Sequence, residues 1–543
     1  MARGKYKDDD LRTFQLDNFR GGYNSYAGGK STIVDNEIPS GLNSIPTDNG
    51  SMAKRNGSAL FGGEVASGKS IRGIGNLRTS ALNVLIVAAG TACYYKDGNN
   101  YTGLSGFTFT NDQETRFCQA LDKLYIANNS NNLVYTANGT SIVEISANGN
   151  IGDWPVFYNQ RLYMTNSTYK DRIYYSNPYV LNLATSPPTL TGFDDANMFN
   201  TDLNSTPKKN AGYIVLFPGS GVEITRLWLD NSAGSDFLYA YTKSHGIWRI
   251  AYKEVLSDGS IAHTINQVVT NFGTPSGKSV NKLGNDQWFY GGDNEYSLGE
   301  VAQFQNIRVT TKSGRIRSEM NSISNKNNVV GEFYKDRLYL AYATGSYNDR
   351  FLIYDSKLNA WSTPCSGISI NNMFVWEDSG GTSRLLAGSG NSAKSYIYEL
   401  DTGANDDSVA VNGYFETKST DCKTSLRKYF GYIDVFYTTL FGVVTYEVYI
   451  DEYLSISGQV QIGNSSNRPA GIGSRPIGTI SIGAEYFDDA ITASLAQNSF
   501  FRIDCNYNSG HKISVRITNN NTGEQYKIDG VIIYFLAGSF YEE

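Results

Sequence analysis

Few strings in this chain have residue types and spacings that could do chemistry. GEVASGKS, Gly63–Ser70, matches the phosphate-loop pattern, with Gly68, Lys69 and Ser70 in the GK[ST] positions. Such a loop needs a strand before it and a helix after it, whose first N–H groups hold the phosphates. Here IRGIGN and LNVLIVAA follow, and two glycines ahead of an apolar run do not open a helix. The string also recurs. Ser67–Asn76 reads SGKSIRGIGN, Ser276–Asn285 reads SGKSVNKLGN, and six of the ten positions agree. Each copy precedes an apolar strand, so a turn leading into a repeated unit explains both better than a nucleotide site.

The three histidines, His245, His263 and His511, form no HxH or HExxH pattern and offer little to a metal centre or a triad. The five cysteines, Cys93, Cys118, Cys365, Cys422 and Cys505, are scattered singly without CxxC spacing. They read as free buried thiols of a chain made in a reducing cytosol, with neither a disulfide framework nor a metal site. DSGG, Asp378–Gly381, has flanks unlike those of a serine protease, and DDDL and DNE (from Asp35) read as solvated turns. Acidic residues are plentiful, but no pair stands out for glycoside cleavage, and the SxDxGxTW boxes of sialidase propellers are absent. The expectation is a non-enzyme with no catalytic, cofactor-binding or metal residues.

Net charge is −6, which argues against a broad nucleic-acid-coating surface. It leaves open a neutral or acidic channel through which phosphates slide without sticking. MARGKYKDDD is charged and lacks an apolar core, so no secretory leader is expected, and ALNVLIVAAG is about half a membrane span.

The elements that would position any site are β-hairpins. An aromatic, a basic residue, Leu and another aromatic recur ahead of a turn-rich stretch and a second apolar run. Examples are FCQALDKLYIANNSNNLVYT from Phe117, FYNQRLYMTNSTYKDRIYYSN from Phe157 and FYKDRLYLAYATGSYNDRFLIYD from Phe333. With 55 Gly, 39 Tyr and 26 Phe in 543 residues, the composition is that of an all-β protein. Repeated hairpin units predict a β-propeller of about seven blades, starting near 70, 117, 155, 213, 280, 330 and 372. Tyrosines within these phrases are expected between blades, although a carbohydrate-stacking platform would use the same residue type. YDSKLNAW, Tyr354–Trp361, is reminiscent of kelch blades, and Ser186–Asn210 reads as a long surface loop. Three parts are expected: an extended arm at 1–60 with one short helix near Asp35–Leu42, the propeller at 61–403, and a jelly-roll β-sandwich at 404–543. An arm so poor in apolar residues should be ordered only against the rest of the chain or a neighbour.

NFRGGYN (Asn18–Asn24), DNEIPSGLN (Asp35–Asn43) and the DNG and KRNG pair (Asp48–Gly50, Lys54–Gly57) resemble the opening of tail nozzle proteins of short-tailed double-stranded DNA bacteriophages. LRKYFGYIDVFY resembles the start of that family's terminal sandwich, and ISVRITNNNTGEQYKIDGVIIYF its closing strands. RIRSEMNSISN, Arg315–Asn325, is similar to its segment between blades. Met52 stands where an aliphatic is usual, and no large distal insertion is evident, so a distal tip and a more proximal ring both stay open.

The resemblance implies a virion structural protein, made in the bacterial cytoplasm and assembled as a homohexameric ring. Adaptor and portal-proximal tail proteins and tail fibres would be its partners. Viral DNA would pass along the lumen without sequence-specific binding. The assembly contacts would lie in the arm, at Phe19, Gly21, Gly22, Asn43, Arg55 and Gly57, with Arg55 pairing with a carboxylate or with carbonyls. Replacing Gly21 and Gly22 by Val is expected to block assembly more than folding. The alternatives are a carbohydrate-binding propeller, as in a receptor-binding or adhesin subunit, and a polysaccharide-degrading one.

Overall fold

The computed structural model describes residues 11–25, 29–145, 151–166, 168–182, 189–193, 197–205, 208–219, 221–230, 236–301, 306–438, 442–462 and 498–538. The chain divides into two compact units. One comprises Ala59–Phe351 and Gly367–Leu400; the other comprises Met1–Ser58, Leu352–Ser366 and Asp401–Glu543. Among the described residues the only α-helix is Arg317–Asn321, and nearly all other regular structure is strand.

In the first unit, apolar runs separated by Asn, Gly and Asp turns fold as antiparallel meanders. Ile71–Arg78, Asn83–Ala89, Ala92–Asp97 and Asn100–Gly103 form one sheet, with Ile74 opposite Val87. Further sheets begin at Arg116, Gly152, Ile224, Asn281, Val330 and Asn372. Their first strands lie side by side in cyclic order. Ile71–Arg78 neighbours Arg116–Ala120, followed by Gly152–Tyr158, Ile224–Asp230 and the Gly277–Ser279 turn ahead of Asn281–Leu283. Val330–Tyr334 and Asn372–Glu377 complete the circuit back to Ile71–Arg78. This unit is a β-propeller. The strand ending at Leu60 pairs with Ile397–Leu400, and Phe61 N–H donates to the Ile397 carbonyl at 2.8 Å. A segment from before the first sheet thus completes the last one, which protects its edge.

Apolar clusters fill the spaces between successive sheets. Leu77 and Ile86 pack with Leu124 and Ile126, and Tyr239 and Tyr241 pack with Val280 and Phe289. The rings of Tyr241 and Phe289 stand 5.5 Å apart, and Tyr125, Tyr163, Tyr241 and Tyr342 of the repeated phrases are fully buried packing groups. The sheet expected to start near 213 starts at Ile224; Gly212–Val215 is the outer strand of the preceding sheet. The displacement comes from Ser186–Asn210, which interrupts that sheet before its last strand. This insert is more than a loop where described: Thr189–Gly192 pairs with Val180–Asn182, Thr201–Asp202 pairs with Lys209–Asn210, and Phe193 and Met198 are buried in an apolar cluster. Arg315–Asn325 lies between strands Asn306–Thr311 and Val330–Tyr334, and so connects two successive sheets.

Among its described residues the second unit has two large sheets, beside the short parallel pair Gly22–Tyr23 with Glu37–Ile38. One runs Asn498–Gly510, Lys428–Thr438, Lys527–Ala537, Met52–Lys54, Ser44–Pro46, with Arg12–Leu16 also pairing with Lys527–Ala537. The other runs Ser40–Leu42, Gly413–Glu416, Ile513–Asn519, Gly442–Ile450, Tyr453–Ile462. Alternation along these strands puts Phe430, Ile433 and Val435 of the first sheet and Phe415, Val444 and Val515 of the second into one buried cluster. The N-terminal segment is therefore not a separate arm. Its strands belong to both sheets, and Phe14, Leu16, Phe19, Ile38 and Met52 are buried in the shared core. The short helix expected near Asp35–Leu42 is absent; Glu37–Ile38 and Ser40–Leu42 are strands. Pro39 explains this, because it holds the residue before it in extended backbone and cannot sit inside a helix.

Phe415 is fully buried, with the Phe19 and Tyr526 rings 5.6 Å and 5.9 Å away. Phe415→Ala should cost about 3–5 kcal/mol, and Phe415→Leu clearly less. Urea denaturation followed by intrinsic fluorescence would check the order.

Candidate functional site

The six residues singled out near the N-terminus lie in the second unit, and three of them, Asn43, Arg55 and Gly57, meet at one junction. Arg55 is its centre. Its guanidinium forms a two-pronged pair with Asp406, through Nη1 to Oδ1 at 3.0 Å and Nη2 to Oδ2. Nη2 also donates to the Ser366 carbonyl at 2.6 Å, and Nη1 to the Asn56 carbonyl at 2.8 Å. Nε donates to Asn43 Oδ1 at 2.8 Å. Arg55 thus has both kinds of partner, a carboxylate and carbonyls. Asn43 adopts a left-handed φ of 53°, which Asn tolerates, and its Nδ2 donates to the Asn412 carbonyl at 2.6 Å. A Cβ on Gly57 would fall on the Asn405 carbonyl. Gly22 has a φ of 66° and faces Trp361; a Cβ there would lie 2.6 Å from the Trp361 carbonyl oxygen, and one on Gly21 2.7 Å from that of Asn36. All six are consumed by contacts inside the unit. The Gly21 and Gly22 double Val variant should therefore fail to fold, not merely fail to assemble.

The other candidate signals resolve as structure. Gly63–Ser70 is turn and loop running directly into strand Ile71–Arg78, and Lys69 is exposed. His263 sits in the propeller among the rings of Tyr163 and Tyr175, and burial lowers its pKa to about 4. Asp35 pairs with Lys418 at 2.8 Å, while Glu37 accepts from Asn24 at 2.7 Å. DDDL at 8–11 falls largely outside the described residues. The Tyr354 and Trp361 rings of the kelch-like string lie 5.1 Å apart. All five cysteines are free. No cluster of His, Cys, Asp and Glu suited to a metal ion occurs among the described residues, and no helix there is long and apolar enough to cross a membrane.

Sequence reasoning missed the propeller axis. Its first strands and their flanking turns surround a cavity of about 710 Å³, which shares Arg116, Trp154 and Lys278 with a second space of about 300 Å³. Charged groups cross the boundary. Lys278 Nζ donates to the Asn371 carbonyl at 2.9 Å and lies 3.4 Å from Glu114. Glu114 also pairs with Arg116 at 3.1 Å and accepts from Asn371 Nδ2 at 2.8 Å. Burial raises the Glu114 pKa, but Lys278 and Arg116 outweigh it, and the net shift is downward. Burial lowers Lys278 to about 8 despite Glu114. Deeper in the cavity, burial lowers Arg226 to about 9 and raises Glu332 to about 7. Arg116 and Arg226 both stack on the Trp154 ring, at 4.2 Å and 4.0 Å. The available signal was a basic residue inside an apolar strand, as in ITRLWLD at Ile224–Asp230.

No known family's sequence model matches this chain, and no curated protein matches it. Similar solved structures include YCF48 bound to D1 peptide (9% identity, TM-score 0.38, covering 66% of this chain and 98% of that one). BBS1N in complex with ARL6DN gives 10% identity and TM-score 0.38, covering 65% and 99%. BamB from Moraxella catarrhalis gives 11% identity and TM-score 0.36, covering 67% and 97%.

Arg55→Ala should destabilise the two-sheet unit by about 3–5 kcal/mol, because it leaves Asp406 charged and buried. Asp406→Asn should cost less, since the amide still accepts from the guanidinium. Chemical denaturation of the three proteins would show the order.

Proposed function

We propose that this chain is a non-enzymatic virion structural protein, a subunit of a ring-shaped bacteriophage tail nozzle. In this reading it combines a seven-bladed propeller with a C-terminal β-sandwich into which the N-terminal strands are woven. The observation that carries the reading is the convergence of Asn43, Arg55 and Gly57 on one buried junction, with Phe19 in the adjoining core. These are positions on which the sequence resemblance rests, and each serves architecture. A likeness in build without a catalytic signature is what common assembly work requires.

Ion pairs cross the propeller axis, so the DNA conduit in this reading is the lumen of a ring of copies. A cyclic ring repeats one heterologous interface until it closes, and a permanent one buries upwards of about 1,500 Å². The net charge of −6 suits a conduit that phosphates traverse without lodging.

Negative-stain microscopy of the purified protein, or of the particle that carries it, is expected to show six-fold rings with an axial hole. Reproducible binding of the isolated chain to one glycan class on an array, without rings in either sample, would favour a carbohydrate-binding propeller instead.

A further inference from the structure

Arg226 and Trp228 lie on one side of strand Ile224–Asp230, two positions apart, and both line the axial cavity of about 710 Å³. Among the described residues no hydrogen bond or ion pair engages the Arg226 guanidinium, and its Nε is buried without a partner. The Trp228 indole N–H is likewise buried and unpartnered. Buried donors are almost always satisfied, so two on one cavity wall call for an acceptor that this wall lacks. Neighbouring cations differ: Lys278 and Arg116 are held by Glu114. The Arg226 guanidinium stacks on the Trp154 and Trp228 rings, at 4.0 Å and 5.1 Å, with no carboxylate in hydrogen-bond reach among the described residues. Much of the remaining lining is apolar, including Ile74, Phe117, Val156, Leu229 and Phe374.

We propose that the axial cavity binds a small organic carboxylate, its two oxygens on the Arg226 guanidinium and the Trp228 N–H, its apolar body against Phe117, Val156 and Phe374. The planar fork of arginine matches a carboxylate in a way an ammonium does not. The volume suits a ligand of drug size, and apolar walls with a few convergent donors are the usual makeup of such a site.

Glu332 regulates the site. It faces the same cavity, and no ion pair joins it to Arg226 among the described residues. The charged groups lining this cavity and the adjoining space are Arg226 on Ile224–Asp230, Arg116 on Arg116–Ala120, Asp153 on Gly152–Tyr158 and Lys278 on the turn before Asn281; Met373 and Phe374 are apolar on Asn372–Glu377. Burial raises its pKa to about 7, against the pull of Arg226. When protonated, Glu332 leaves Arg226 free for the ligand. When ionised, it competes for Arg226 and repels a carboxylate. Affinity therefore falls as pH rises from about 6 to about 8, a range in which an ordinary carboxylic ligand stays charged.

Isothermal titration of the full chain with 2-naphthoate, and with uncharged 2-naphthylmethanol, tests this. One naphthoate should bind per chain, at least about tenfold more tightly than the alcohol. Arg226→Gln should weaken it at least about tenfold, and Glu332→Gln should abolish the pH dependence. Melting curves establish that the variants fold. Should Arg226→Gln not fold, Arg226→Lys, which keeps the charge and loses the fork, should bind several-fold more weakly. The proposal is overturned by no naphthoate binding at about 10 mM, by equal affinity for the alcohol, or by a folded Arg226 variant that binds as the wild type does.

Discussion

The buried pair of Arg55 and Asp406 is the contact on which the two-sheet unit depends. That unit is assembled from three separate stretches of chain, and the Arg55 guanidinium touches all three. It reaches Asn43 and Asn56 in the first, Ser366 in the second and Asp406 in the third. A guanidinium has five donors in a fixed plane, so it can bind several acceptors at once only if the chains bearing them are already in register. Gly57 lets the backbone run close enough to Asn405 for this, with its N–H on the Gly403 carbonyl at 2.9 Å. The chain enters the propeller just after this junction, at Ala59, and leaves it just before, at Leu400. The strand ending at Leu60 completes the propeller's last sheet.

The hairpins were legible because their partners are adjacent in sequence. Phe117 opposite Ile126 and Phe333 opposite Leu338 are pairings that alternation and turn residues announce locally. The misplaced start near 213 has the converse cause: Ser186–Asn210 separates an outer strand from its sheet, and a strand torn from its hairpin looks like a new beginning. The N-terminal segment was misread as an arm for a related reason. Arg12–Leu16 pairs with residues near 531–535, and Ser40–Leu42 with residues near 414–416. Its strands are too short to show a period, and their partners lie hundreds of residues away. Composition correctly reported that this segment cannot make its own core, but not which core it completes.

Residue type was a better guide than pattern at single positions. Arg55 had to find acceptors, and the glycines of Gly21–Gly22 had to meet close backbone. Both follow from side-chain chemistry, whereas the identity of Asp406 and Trp361 does not. The propeller axis escaped notice because its polar residues come one from each first strand or the turn before it. Arg116, Asp153, Arg226, Lys278 and Glu332 are spread over more than 200 positions, and no two are close enough to form a motif. Cyclic closure alone gathers them, so a constellation of this kind cannot be read before the ring is known.

Arg55 and Arg226 separate two uses of a buried guanidinium. Both are desolvated, which for an isolated cation is costly. Around Arg55 every direction ends in an oxygen, and Asp406, only 5% exposed, balances the charge. Nothing remains for a ligand to add. Around Arg226 the groups it stacks on are aromatic faces, which attract a cation but accept no hydrogen bond in the plane of the fork. Burial consequently depresses the Arg226 pKa to about 9. A fold that needed Arg226 only for stability would gain by an apolar side chain of similar volume, as buried ion pairs replaced by well-packed apolar residues illustrate. A cation kept in an apolar strand and facing a cavity, with no carboxylate hydrogen-bonded to it among the described residues, is better explained by something that enters the cavity than by the strand that bears it.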